Sequence, residues 1–143
     1  MVTRPIAIML IEDNPADIAL TEESLERSKI VNELTAFMNG ESALGHLQQC
    51  VKEGTSLPDV ILLDLDMPGI SGHDVLEQLK SHEELRRIPV VVLTSSRAEE
   101  DILRSYDLHV NCYITKPLDL NQFTMVVKSI EHFWFSIVSL PST

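Results

Sequence analysis

The run Val60-Ile61-Leu62-Leu63-Asp64 constrains this chain more than any other stretch, because four consecutive apolar residues lead directly into an acid. The chain continues through Leu65-Asp66-Met67 and turns at Pro68-Gly69. An apolar run without alternation describes a strand covered on both faces, the habit of parallel sheets. Asp64 then stands at the carboxyl end of a central strand, the edge on which open α/β sheets place their ligands. A carboxylate there either caps the following turn, as Asp often does, or acts as a nucleophile or metal ligand. The strand alone does not choose between these roles.

The rest of the chain repeats the same grammar. Pro5 to Ile11 is a short apolar strand followed by Glu12-Asp13-Asn14-Pro15. Asn followed by Pro is a helix start, an N-cap with proline at the first helical position. Apolar residues at Ile18, Leu25 and Ile30 predict an amphipathic helix behind it. Leu34 to Met38 reads as a second strand closed by Asn39-Gly40, and Glu41 to Cys50 as a helix carrying Leu44 and Leu47. Gly54 to Pro58 is a loop before the central strand. Gly72 to Ser81, with Val75, Leu76 and Leu79, predicts a third helix, and Pro89 to Leu93 another buried strand ending in Thr94-Ser95-Ser96. A polar helix over Glu99 to Tyr106, a strand over Val110 to Ile114 ending in Thr115-Lys116-Pro117, and a long helix capped by Asp119 complete the series. Five strands alternating with five helices imply right-handed crossovers and a parallel sheet covered on both faces. Periodicity leaves the strand order open.

Length and charge narrow the function. The 143 residues suit one domain, spanning 1–143, without repeat, linker or separate output domain. A net charge of −11 argues against binding nucleic acid through its phosphates. Cys50 and Cys112 lack metal-site spacing and read as reduced thiols of a cytoplasmic protein, and the five histidines show no metal spacing either. No stretch approaches the roughly 18 apolar residues of a membrane span.

In a parallel sheet all strand carboxyl ends share one edge. Glu12 and Asp13 follow the first strand, Asp64 and Asp66 the third, Thr94 the fourth and Lys116 the fifth. Carboxylates gathered there repel one another unless a cation sits among them. Mg²⁺ suits a few carboxylates, waters and a phosphate oxygen. Lys116 supplies a mobile point charge for phosphate, and Thr94 a hydroxyl donor. A nucleophilic carboxylate, a divalent ion, a cation and a donor are the parts of a phosphoryl-transfer site. Asp64, ending the most central run, is the candidate nucleophile, and Asp13 the better-placed metal ligand.

Glu12-Asp13, Asp64 with Met67-Pro68 and Gly72, Thr94, and Lys116-Pro117 together resemble the response-regulator receiver domain of two-component phosphorelays, over nearly the whole chain. The resemblance implies a doubly wound, five-stranded parallel sheet of order 2-1-3-4-5, the flavodoxin-like receiver fold. It implies that Asp64 accepts a phosphoryl group from a histidine kinase and that the protein is a phosphoacceptor rather than an enzyme. By the same resemblance, Asp13, Asp64 and the backbone carbonyl of Asp66 hold Mg²⁺, and Glu12 supports the ion through water. Thr94 and Lys116 bind phosphoryl oxygens, the Lys116-Pro117 bond is cis, and Thr94 and Tyr113 form the switch.

The final helix carries a core stripe at Leu120, Phe123, Val127, Ile130 and Trp134. A second apolar row lies beside it at Val126, Ile130, Phe133 and Ile137. One stripe docks a helix on a sheet, and a second widens the apolar face beyond the ordinary arc. The row suits either local packing under Val138 to Pro141 or a homodimer surface. The tail from Asn111 to Pro141 is similar to that of the single-domain regulators paired with phytochromes, which implies a phytochrome kinase as partner and dimerisation through this region.

Three rivals belong to other classes. A haloacid-dehalogenase-type phosphatase also uses an Asp-x-Asp pair, but on its first strand and with further acids downstream. A flavodoxin-like binder needs a Ser/Thr/Gly-rich phosphate loop where this chain has Glu-Asp-Asn. A phosphorylation-independent scaffold would not need the acid, Thr and Lys set.

Overall fold

In the computed structural model, residues 5–27, 31–65, 67, 72–94, 112–115 and 128 are described, with 112–115 as backbone. The elements are β1 (Ile6–Ile11), α1 (Pro15–Glu26), β2 (Asn32–Phe37), α2 (Gly40–Glu53), β3 (Val60–Asp64), α3 (Gly72–Ser81), β4 (Val90–Thr94) and β5 (Cys112–Thr115). A 3₁₀ turn over Leu85–Arg87 separates α3 from β4.

The strands make a parallel sheet in which β2, β1, β3 and β4 lie side by side in that order. The backbone of β5 pairs parallel with β4, from Val91↔Cys112 to Thr94↔Thr115. Every residue of β3 and β4 is buried, as unbroken apolar runs require. Alternate residues of the central strands feed two separate cores, because successive side chains of a strand point to opposite faces. Met9, Ile11, Ile61, Leu63, Val90 and Val92 pack with Leu44, Leu47, Val75, Leu76 and Leu79 from α2 and α3. Ile8, Leu10, Val60, Leu62, Val91 and Leu93 pack with Leu25 of α1. Helices therefore cover both faces, with α1 on one and α2 and α3 on the other.

Local chemistry sets the element ends. Asn14 Oδ1 accepts the backbone N–H groups of Ala16 (2.9 Å) and Asp17 (3.2 Å), with Pro15 as the first helical residue of α1. Asn39 caps α2 in the same way, accepting Ser42 N–H at 2.7 Å. Gly54 ends α2 at φ 70°, a left-handed conformation natural to glycine. Asp59 ties the start of β3 to β1 twice: its N–H donates to the Ala7 carbonyl (2.8 Å) and its carboxylate accepts the Ala7 N–H (2.7 Å). On α2 the buried Cys50 thiol lies 3.5 Å from His46 Nε2.

The expected helix over Gly72 to Ser81 coincides with α3. β2 starts at Asn32, earlier than its apolar residues suggest, because its six positions pair one for one with β1 from Ile6↔Asn32 to Ile11↔Phe37. α2 runs three residues past Cys50 to Glu53. Its last turn is polar apart from Val51 and carries little periodic signal. The expected helix over Glu99 to Tyr106 lies outside the described residues. So does the final helix, except Lys128, which is helical and exposed. Among the described residues no helix is long and apolar enough to cross a membrane.

Candidate functional site

The strand order creates the site. The chain leaves β1 for β2 on one side, while β3 takes the place on the other, so the β1/β3 boundary is where the winding reverses. Open α/β sheets bind ligands outside the carboxyl ends of the strands at such a reversal. The last paired residues there are Ile11 and Leu63. One step further along the two strands stand Glu12 and Asp64.

Three carboxylates meet at this point. Glu12, Asp13 and Asp64 each offer an oxygen, and these oxygens lie within 4.8 Å of one another. Glu12 and Asp64 are each only 1% exposed, while Asp13 is half-buried. Buried like charges at this spacing are unfavourable without a partner of opposite sign. An all-oxygen donor set that opens to the surface through Asp13 fits a hard divalent cation, and it lacks the sulfur or imidazole that zinc prefers. The cluster is therefore chemically able to hold a divalent metal.

Backbone bonds fix these acids in place. Glu12 N–H donates to the Phe37 carbonyl at 2.9 Å, which extends the β1–β2 ladder into the loop. Glu12 Oε1 accepts the Asn14 N–H at 3.2 Å. Beyond Asp64, Leu65 N–H donates to the Leu93 carbonyl at 2.9 Å, so β3 stays tied to β4 past its formal end. The first residue of α3 presses on that same place. A Cβ on Gly72 would lie 2.6 Å from Leu65 Cα and 3.1 Å from the Asp64 carbonyl oxygen. Only a residue without a side chain lets the helix approach the loop so closely.

Thr94 ends β4 and is fully buried, directly across the ladder from Thr115, the residue before Lys116. It belongs to the strand itself rather than to the turn after it. Lys116 and Asp66 lie outside the described residues, and Tyr113 is described only as β5 backbone. The row Val126, Ile130, Phe133 and Ile137 also lies outside them. The structure thus joins Glu12, Asp13 and Asp64 at one point. The spacing of motifs did not reveal the supports of that point: the Gly72–Leu65 contact, and the Asn14 N–H held by Glu12. Gly72 stood in the motif, but its contact depends on how α3 docks. The Asn14-Pro15 pair did signal the helix cap.

Residues 8–128 match the family described as the response regulator receiver domain. The chain is a response-regulator receiver domain. Response regulator Rcp1 of Synechocystis sp. is 45% identical over 139 residues, covering 96% of this chain and 95% of that protein. The crystal structure of the phosphorylated cyanobacterial phytochrome response regulator RcpA has a TM-score of 0.79 at 48% identity, over 97% of this receiver and 100% of that chain. The Mn²⁺-bound form of Rcp1 has a TM-score of 0.77 at 45% identity, over 96% and 100% of the two chains. This receiver is closely related to the phytochrome-associated regulators, and its acidic cluster is consistent with phosphorylation on aspartate and divalent-metal-dependent signalling. Receivers act as phosphoacceptors rather than enzymes in their own right, which places the chain outside the phosphatase and flavodoxin-like rivals.

Proposed function

We propose that Asp64 accepts a phosphoryl group from the phosphohistidine of a histidine kinase. The observation that carries this reading is the convergence of Glu12, Asp13 and Asp64 carboxylate oxygens within 4.8 Å at the sheet's reversal point. Asp64 is buried at the end of the central strand, with its neighbours anchored to β4 and α3, so its oxygen is pre-oriented for in-line attack. The oxygen–phosphorus bond forms as the nitrogen–phosphorus bond breaks, giving an acyl phosphate.

Asp13, Asp64 and the Asp66 backbone carbonyl would hold Mg²⁺, with Glu12 acting through water. When bound, the ion neutralises charge developing on the phosphoryl oxygens. The Thr94 hydroxyl and the Lys116 ammonium bind the same oxygens from β4 and from the residue after β5. Phosphorylation adds about −1.5 to −2 charges and new acceptor oxygens. Those oxygens draw Thr94 toward them, and Tyr113 follows as the readout. The full layout in this reading is the doubly wound 2-1-3-4-5 receiver in a single domain, working in the cytoplasm.

The similarity to phytochrome response regulators supports a phytochrome kinase as the donor. A homodimer through Val126, Ile130, Phe133 and Ile137 is part of the same proposal, and its support is the second apolar row that these residues form in the sequence. Transfer from a labelled phytochrome histidine kinase in MgCl₂ tests the reading. Wild type takes the label and Asp64→Asn does not. Label retained by Asp64→Asn would place the acceptor elsewhere.

A further inference from the structure

We infer that Asn14 is a positioning residue for the metal-binding acids, acting through the loop that carries Glu12 and Asp13; this role rests on the metal reading given above. The loop from Glu12 to Asn14 is three residues long and is pinned at both ends. On the strand side, the Glu12 N–H donates to the Phe37 carbonyl at 2.9 Å. On the helix side, Asn14 Oδ1 accepts Ala16 N–H at 2.9 Å and Asp17 N–H at 3.2 Å, and the Asn14 carbonyl accepts Ile18 N–H at 3.0 Å. Asp13 has no independent tether among the described hydrogen bonds and takes its position from these two neighbours.

A second link reaches the acids directly. The Asn14 N–H donates to Glu12 Oε1 at 3.2 Å. The side chain of Asn14 holds the first turn of α1 while its backbone N–H meets one oxygen of the Glu12 carboxylate, so a shift of the cap is passed to that bond. A helix cap alone would need only the bonds to Ala16 and Asp17. Here the same residue also orients one of the three converging acids, so the cap fixes the loop as well as the helix. Groups standing behind metal ligands commonly govern affinity in this manner. Asn14 is exposed, so its truncation leaves no cavity and acts only through these bonds.

The test is MgCl₂ binding by calorimetry on the whole chain. Asn14→Ala is expected to raise the Kd for Mg²⁺ about tenfold, the low end for loss of a group behind metal ligands. Asn14→Ser retains a cap oxygen and should bind as wild type does. Asn39→Ala removes the matching cap from α2 and should lose comparable stability without weakening Mg²⁺. If Asn14→Ala fails to fold, Asn14→Gly lowers helix stability by much less and still lacks the tether, so its Kd should rise as well. Wild-type affinity in a folded Asn14→Ala or Asn14→Gly protein overturns the role. Equal weakening by Asn39→Ala overturns it too, by reducing the effect to general stability. A wild-type protein that binds no MgCl₂ removes the metal reading itself, and this role with it.

Discussion

Gly72→Ala is the substitution whose effect the structure specifies most closely. The added methyl would lie 2.6 Å from both Leu65 Cα and Leu65 Cδ2. Carbon atoms prefer about 3.5–4.0 Å, so roughly 1 Å of displacement is needed. Leu65 can turn its Cδ2 aside only within a packed core, since it is 5% exposed. Its Cα cannot move without the backbone that immediately follows Asp64. Overpacking of this kind costs about 1–3 kcal/mol, and contact with backbone points to the upper part of that range. Alanine returns at most about 1 kcal/mol of helix propensity. The net loss is then about 2 kcal/mol, read as a fall in urea midpoint at unchanged slope, or as about 4–8 °C in Tm for a chain of this size. Phosphorylation should suffer beyond the stability loss, because a displacement of about 1 Å at a reacting group can cost about a hundredfold in rate. Gly45→Ala is the matched control: nothing lies within 4 Å of its added methyl. As an exposed α2 residue, it should gain about 0.5–1 kcal/mol. If Gly72→Ala melts at or above wild type and is labelled at the wild-type rate, α3 does not press on the Asp64 loop.

Other outcomes follow from the same contacts. Asp64→Asn removes one of three convergent carboxylates, so without metal it should melt above wild type. Wild type should gain about 2.7 kcal/mol at Mg²⁺ a hundredfold above Kd, and the variant little, as differential scanning calorimetry would show. Asp59→Ala deletes a charged acceptor of the Ala7 N–H and should cost about 1.5–3 kcal/mol in urea. It lies at the strand starts, so Mg²⁺ affinity should not change. Lys80 is half-buried, its ammonium 3.4 Å from the Arg86 carbonyl and 3.5 Å from that of Ile88, and burial lowers its pKa from 10.5. The folded state therefore binds this proton less tightly than the unfolded chain does, so stability attributable to Lys80 rises with pH between the lowered value and 10.5. Lys80→Met should remove that alkaline rise from a Tm-against-pH series.

What the sequence made legible is what short-range chemistry decides. The Val60–Asp64 run is buried throughout because no polar residue interrupts it. The Asn14-Pro15 pair starts α1 because cap and proline act within one turn. Gly72 to Ser81 matched α3 because its apolar spacing and its length agree. β2 was harder to place: it pairs with β1 along one edge and carries exposed Glu33 and Thr35 in alternation. Its first residues are set by β1 rather than by their own composition. The turn over Leu85–Arg87 has no periodic pattern and is held by contacts that include Lys80. For the site, the sequence showed which residues follow which strand. Which acids meet depended on the strand order, and periodicity could not choose that order. Only with β1 beside β3 do Glu12 and Asp64 become neighbours.

The bond from Glu12 N–H to the Phe37 carbonyl reaches further than the acids. Phe37 sets its ring against the imidazole of His46 on α2, with centroids 5.2 Å apart. A backbone adjustment at Glu12 thus has a route of one hydrogen bond and one ring contact to an exposed histidine on α2. The ring-proton resonances of His46 should register it, so the protein carries its own NMR reporter for events at the acidic loop.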